Sequence, residues 1–330
     1  MKRILSVMLA ALLAAAVFTG CGTSSAPPKN DGGGKVSVVA TIFPPYDFTR
    51  QIAGDRVDVT MLLPPASESH SFEPTPQDII KIQNCDVFIY VGGESDTWVN
   101  DSLEILDSGN LTRLTLMDKV NTVNEETVEG MEHKHDDHHE EAEQRDEDHH
   151  DHEEAEPDEH IWTSPKNAKK IVQAICDSLC AIDEENATYY QENTAAYLKE
   201  LDKLDDQFQS VVDGGKRKTI VLAERFPFIY LAKDYGLTYY AAFAGCSTQN
   251  DPSLATINFL IEKIESKHIP IVFFIEFSSE KTADTLCQST GAQKRLLHSC
   301  HNVSKADFDK GVTYLELMYQ NADYLAEALN

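Results

Sequence analysis

Twelve histidines are distributed very unevenly along the 330 residues. Seven crowd into one stretch: His133, His135, His138, His139, His149, His150 and His152. The other five, His70, His160, His268, His298 and His301, stand in ordinary globular surroundings. A neutral imidazole binds divalent transition metals, zinc among them, and one ion needs three or four such donors at a single point. His70 lies in Ser67-Glu68-Ser69-His70-Ser71-Phe72-Glu73-Pro74-Thr75-Pro76-Gln77-Asp78. There Thr75 can cap a helix, Pro76 suits its first position and Asp78 approximates the partner of a capping box. His160 has a similar setting in Asp158-Glu159-His160-Ile161-Trp162-Thr163-Ser164-Pro165-Lys166-Asn167-Ala168, with Ser164 as cap and Pro165 opening a helix. His70 also follows a strand-like run, 57–63. In open α/β sheets the loops at the carboxyl ends of strands build the ligand site, so two loop histidines placed this way can converge. His268, beside Lys267 at a helix end, reads as a surface residue.

The crowded stretch is a different kind of feature. Residues 132–159 hold fifteen Asp or Glu against two basic residues, about half of the net charge of −27. Nothing in it can form a core, so it reads as a disordered insertion over 124–157 in the first lobe. Imidazoles beside carboxylates suit a low-affinity, metal-gathering tract, since ordering a flexible chain around an ion costs entropy.

The elements that must position the ordered histidines follow an alternating rhythm from Lys35 onward. Strand-like runs at 36–40, 57–63, 86–91, 219–223, 237–242, 271–275 and 294–297 alternate with helix-compatible runs at 46–53, 77–83, 226–234, 252–267, 280–290 and 307–328. Short apolar strands between helices imply parallel sheets. Between the two arrays, Tyr190, Tyr197, Leu201, Leu204, Phe208 and Val211 draw one apolar stripe along a helix over 183–213, which Gly214-Gly215 stops. The expected fold is α/β: two lobes, 35–182 and 214–330, each a small parallel sheet flanked by helices, joined by one long α-helix.

At the N-terminus, Lys2 and Arg3 precede an uncharged run from Ile4 to Phe18, a basic and then apolar leader too short for a comfortable membrane span. Thr19-Gly20-Cys21 resembles a bacterial lipobox. Residues 1–20 would then be a signal peptide, Cys21 the lipidated anchor and 21–34 a flexible tether. Six further cysteines include no CxxC pair, so a thiolate zinc finger or redox motif is unsupported. Cys246 and Cys300 both follow C-terminal strands and are the best candidates for a disulfide. With 55 acidic residues against 28 basic ones, nucleic acid is excluded as a natural partner.

The two histidine strings resemble the metal-binding lipoproteins of bacterial ABC importers for zinc and manganese. The strings His70 to Asp78 and Asp158 to Ala168 carry the resemblance, and the acidic His-rich insertion is similar to that of the zinc-importing branch. Weaker landmarks are Ala232-Lys233-Asp234-Tyr235-Gly236-Leu237 and Glu276-Phe277-Ser278. The resemblance covers 35–330 and implies two α/β lobes joined by a long helix, with metal in the cleft. It departs at the third ligand, whose position is Arg225 here, and arginine cannot coordinate a cation. The resemblance therefore implies His70 and His160 as ligands, His298 as a third near the family's fourth position, and Glu224 or His301 as a weaker fourth. Glu276 would stand behind the ligands, and Arg225 would pair with Glu224 or Glu276. Imidazole-rich sites favour Zn2+ over Mn2+.

The resulting expectation is a monomeric extracytoplasmic receptor, anchored to the bacterial cell membrane, that carries Zn2+ to an ABC permease. A manganese or iron receptor, a surface zinc buffer built on the tract, and a metalloenzyme are the alternatives. The enzyme is disfavoured because no HExxH or equivalent acid/base constellation occurs.

Overall fold

The computed structural model describes residues 34–68, 70–100, 111–131, 156–247, 249 and 251–330. The leader, Cys21 and the seven tract histidines lie outside the described residues. Among those described, no helix is long and apolar enough to cross a membrane.

Strands β1 (Val36–Ala40), β2 (Val57–Met61), β3 (Val87–Tyr90) and β4 (Thr112–Thr115) form a parallel sheet in the order β2-β1-β3-β4. In its register Val38 lies opposite both Val59 and Val87, so β-branched side chains stack across the middle. Helices α1 (Phe43–Ala53) and α2 (Pro76–Asn84) make the crossovers. The start of α2 is as its residues dictate: Thr75 and Asp78 form a reciprocal capping box, with Pro76 opening the helix. Next come α3 (Pro165–Ile182) and the long α4 (Ala187–Gly214).

The second half holds β5 (Thr219–Leu222), β6 (Arg225–Phe226), α5 (Ile229–Tyr235), β7 (Thr238–Tyr240), β8 (Phe243–Ala244), α6 (Leu254–Lys267), β9 (Ile271–Phe274), α7 (Lys281–Thr290) and β10 (Gln293–Leu296). Its sheet runs β10-β9-β5-β7, again all parallel, while β6 and β8 form a small separate pair. Helices α8 (Lys305–Lys310) and α9 (Tyr314–Leu329) close the chain. The molecule is thus two parallel-sheet lobes joined by α4.

Helix α4 is 28 residues long, roughly 42 Å at 1.5 Å per residue. It packs on α3, α1 and α9 through Tyr190, Thr194, Tyr197, Leu201, Leu204, Phe208 and Val212. Val212 takes the place expected of Val211, because the step of four from Phe208 keeps the stripe on one face. One hydrophobic cluster runs from Ala40 and Phe48 through Leu201 and Leu204 to Ile220, Phe273 and Leu325, so both sheets share a core. The single helix expected over 307–328 is two: Gly311, at φ 74°, turns the chain out of α8 and Thr313 caps α9 afresh. Strand β4 escapes the sequence pattern because only Leu114 of its four residues is buried.

The insertion expected at 124–157 has a sharply defined base. Asn124 and Pro157 form an isolated antiparallel bridge, flanked by hydrogen bonds from Glu125 N to Glu156 O (2.9 Å) and from Asp158 N to Val123 O (2.9 Å). Residues 124–131, expected to belong to the disordered insertion, are packed against the body of the protein. Met131 is buried, Glu125 accepts from Cys246 N at 2.7 Å, and Glu126 and Glu129 pair with Lys233 and Lys263.

Candidate metal centre

The parallel strands deliver their following loops to one place. His70 follows β2, Ser95 follows β3, Arg225 and Glu276 follow β5 and β9, and His301 follows β10. His160 arrives from the insertion and sits at the start of a short turn, Ile161–Thr163, just before α3. The rings of His70, His160 and His301 occupy the corners of a nearly regular triangle, with centroids 5.6, 5.4 and 5.4 Å apart. One nitrogen from each ring lies within 4.8 Å of the others. A tetrahedral zinc ion with Zn–N bonds of about 2.1 Å would hold them about 3.4 Å apart, so modest ring rotations would bring the three nitrogens to that spacing. The cavity they line, together with Glu68, Arg225 and Glu276, measures about 20 Å³, room for one ion or water.

Each ring is aimed from behind. His160 Nδ1 lies 3.2 Å from Asp158 Oδ1, and the same oxygen accepts His160 N at 2.8 Å. Gly245 makes room for this: a Cβ there would stand 2.8 Å from Asp158 Oδ2. His70 Nδ1 lies 3.0 Å from Ser95 Oγ and 3.5 Å from Glu159 Oε1. Since Ser95 Oγ gives its own proton to Glu159, it accepts from Nδ1–H, which assigns the lone pair to Nε2. A carboxylate behind each of these two imidazoles fixes the tautomer and strengthens the ligand. His301 is clamped differently. Trp162 packs edge-on against it at 4.8 Å and donates Nε1–H to Ser299 O at 2.8 Å, which ties the His160 segment to the His301 loop.

The electrostatics follow. Burial, helped by His160 and Arg225, pushes His70 down to about 3. Burial and the neighbouring imidazoles hold His301 well below its ordinary value. Burial acts the same way on His160, but Asp158 outweighs it and the ring is shifted upward. Two rings are therefore held neutral, ready to coordinate, and the third keeps its proton longest.

His298, expected as a ligand ahead of His301, is not in the triangle. Its Nδ1 accepts from Cys300 N at 2.9 Å, so a neutral ring carries its proton on Nε2 and offers no lone pair there. Its backbone is paired both ways with Asn321. Glu224 also stands apart, facing a neighbouring cavity of about 410 Å³, with burial raising its carboxyl pKa. Glu276 accepts from Ser299 N at 2.8 Å and from Ser299 Oγ. Arg225 pairs with neither Glu224 nor Glu276 but with Glu68, Nη2 to Oε2 at 3.0 Å. The expected Cys246–Cys300 disulfide is not formed: both are buried free thiols, Cys246 beside the Asp158–His160 pair and Cys300 giving its Sγ–H to His298 O. Ser95 and Glu159 escaped sequence reasoning as the supports of His70. Nothing marks Ser95, whereas Glu159 stood inside the second histidine string.

A binding protein whose two parallel-sheet lobes converge their loops on one transition-metal ion is the class these features define. The family model for the periplasmic component A of the zinc-uptake complex matches residues 38–328, and the chain belongs to that family. It is 34% identical over 310 residues, 94% of this chain and 92% of the relative, to the high-affinity zinc uptake system protein ZnuA of Bacillus subtilis. It is 31% identical over 328 residues to the zinc-binding lipoprotein AdcA of Streptococcus pneumoniae, of whose length it spans 61%. Among solved structures, it is similar to the metal-dependent lipoprotein YcdH of Bacillus subtilis, with TM-score 0.73, 30% identity, and coverage of 89% of this chain and 99% of that one. The Zn(II)-bound ZnuA-like domain of S. pneumoniae AdcA gives TM-score 0.71, 29% identity, and coverage of 90% and 99%.

Proposed function

We propose that this protein is a lipid-anchored extracytoplasmic receptor that captures Zn2+ with His70, His160 and His301 and delivers it to an ABC permease. The observation that carries the reading is the triangle of three buried imidazoles, two of them backed by carboxylates. An all-nitrogen triad suits zinc over manganese, which prefers oxygen donors. Zinc is cargo, so no bond chemistry is required. Affinity comes from pre-aimed neutral rings, and release from moving the loops of the two lobes apart or protonating the ligands. Cys21 is the proposed lipid attachment, 35–182 and 214–330 the two lobes with α4 between them, and a monomer the working unit. The tract histidines gather metal weakly and are not the main site.

Deleting 132–155 tests this while keeping the Asn124–Pro157 bridge and the buried Met131. The trimmed protein should still bind one zinc tightly, and His301→Ala in that background should weaken binding at least about tenfold. Loss of tight binding with the tract would instead favour the buffer. The same titration with Mn2+ should show weaker binding.

A further inference from the structure

Resting on the zinc reading above, we infer that Glu68 is the fourth ligand, a carboxylate that Arg225 holds in reserve beside the three imidazoles. Zinc takes four donors, and the triangle supplies three nitrogens. Among the described residues, two carboxylates line the same cavity, Glu68 and Glu276. Glu276 is committed, accepting both Ser299 N and Ser299 Oγ. Glu68 is held unevenly. Its Oε2 makes a short contact of 3.0 Å to Arg225 Nη2, while Oε1 makes only long ones, 3.4 Å to Arg225 Nη1 and 3.5 Å to His70 N.

Glu68 stands outside the group of ligand atoms that lie within 4.8 Å of one another, and the backbone keeps it at the edge of the same cavity. Asn302, the residue after His301, donates to Pro64 O at 2.7 Å and to Ser67 O at 2.9 Å, and Ala66 N donates to Val303 O at 2.8 Å. The loops that carry Glu68 and His301 are therefore stitched together on either side of the cavity. Charge supplies the reason for the arrangement. A guanidinium beside a divalent cation is repulsive unless an anion lies between them. A carboxylate can turn Oε1 to the ion while Oε2 stays on Arg225, so one side chain serves both cations. Arginine at this position thereby becomes compatible with metal binding, because it presents a ligand in place of being one.

The test uses the full-length protein loaded with Co2+, whose visible spectrum reports the ligand set, together with Zn2+ affinity by chelator competition. Glu68→Gln should shift the Co2+ spectrum and weaken zinc binding about 10- to 100-fold, and Glu68→Asp should recover part of both. Glu276→Gln, which alters a contact behind His301 through Ser299, should shift the spectrum less than Glu68→Gln does. Zinc-edge absorption fine structure on the wild type should fit three nitrogens and one carboxylate oxygen. An unchanged spectrum and affinity in Glu68→Gln, with the metal-free variant melting as the wild type does, overturns the inference and leaves solvent at the fourth position. A shift confined to Glu276→Gln overturns it in favour of Glu276. Failure of the wild type to take up Co2+ or Zn2+ at one tight site is a distinct result, which sinks the receptor reading itself.

Discussion

Holding His70 and His301 neutral has a cost that appears when the protein unfolds. In the unfolded chain both rings titrate near 6.5, whereas the folded His70 does so near 3 and the folded His301 well below its ordinary value. As pH falls from about 6.5 toward 3, the unfolded state takes up protons that the folded state refuses, so stability declines. Asp96, which burial lifts to about 7, works in the opposite direction: folded, it binds a proton between about 3.8 and 7 that the unfolded chain releases, which favours folding as pH drops. The two effects separate by comparison with a variant. The metal-free wild type should lose more melting temperature between pH 7 and pH 5 than His301→Gln does. Equal losses would mean that His301 is not buried neutral. At the same scale, Trp162 has two duties, supporting the His301 ring with its indole edge and tying its loop with the N–H.

Helix α4 is the element on which the two halves depend, because its stripe belongs to a core that both sheets share. Leu204 is completely buried there. Leu204→Ala should cost about 2–5 kcal/mol in urea unfolding, through lost transfer energy and the cavity left behind, while the number of zinc ions bound stays the same. A change below about 1 kcal/mol would mean that the stripe does not carry the core. This helix was legible in advance because its period of 3.6 persists over many turns, and the inner strands β1, β3, β5 and β9 were legible because they are largely buried on both faces and read as apolar runs. Edge strand β4 and the short β6–β8 pair were not, since their pairing rests on backbone bonds and few buried side chains. The candidate site divides along similar lines. His70 and His160 announce themselves through caps and prolines that place them at helix entrances. The choice between His298 and His301 turns on which way each ring faces after β10, and no local spacing encodes it. The Arg225–Glu68 pair joins residues 157 apart and was equally invisible.

At the scale of the whole molecule, the cysteines contribute packing rather than cross-links. All six described thiols are free, and burial pushes Cys85 up to about 12, Cys246 further up, and Cys300 well above its ordinary value. A thiol count in denaturant, on protein beginning at Lys35 and purified without reductant, should therefore give six per chain; a count of four would indicate one cross-link. The bridge between Asn124 and Pro157 has a wider consequence. Pro157 is followed directly by Asp158, the carboxylate that aims His160, and its partner strand continues into Glu125, which grips Cys246 N. Residues 132–155 can thus be lengthened, shortened or exchanged for a foreign cassette without disturbing the cargo pocket, provided the knot at the neck and the packed residues 124–131 are preserved. A splice that loosens the neck would be felt first at the imidazole it helps to aim.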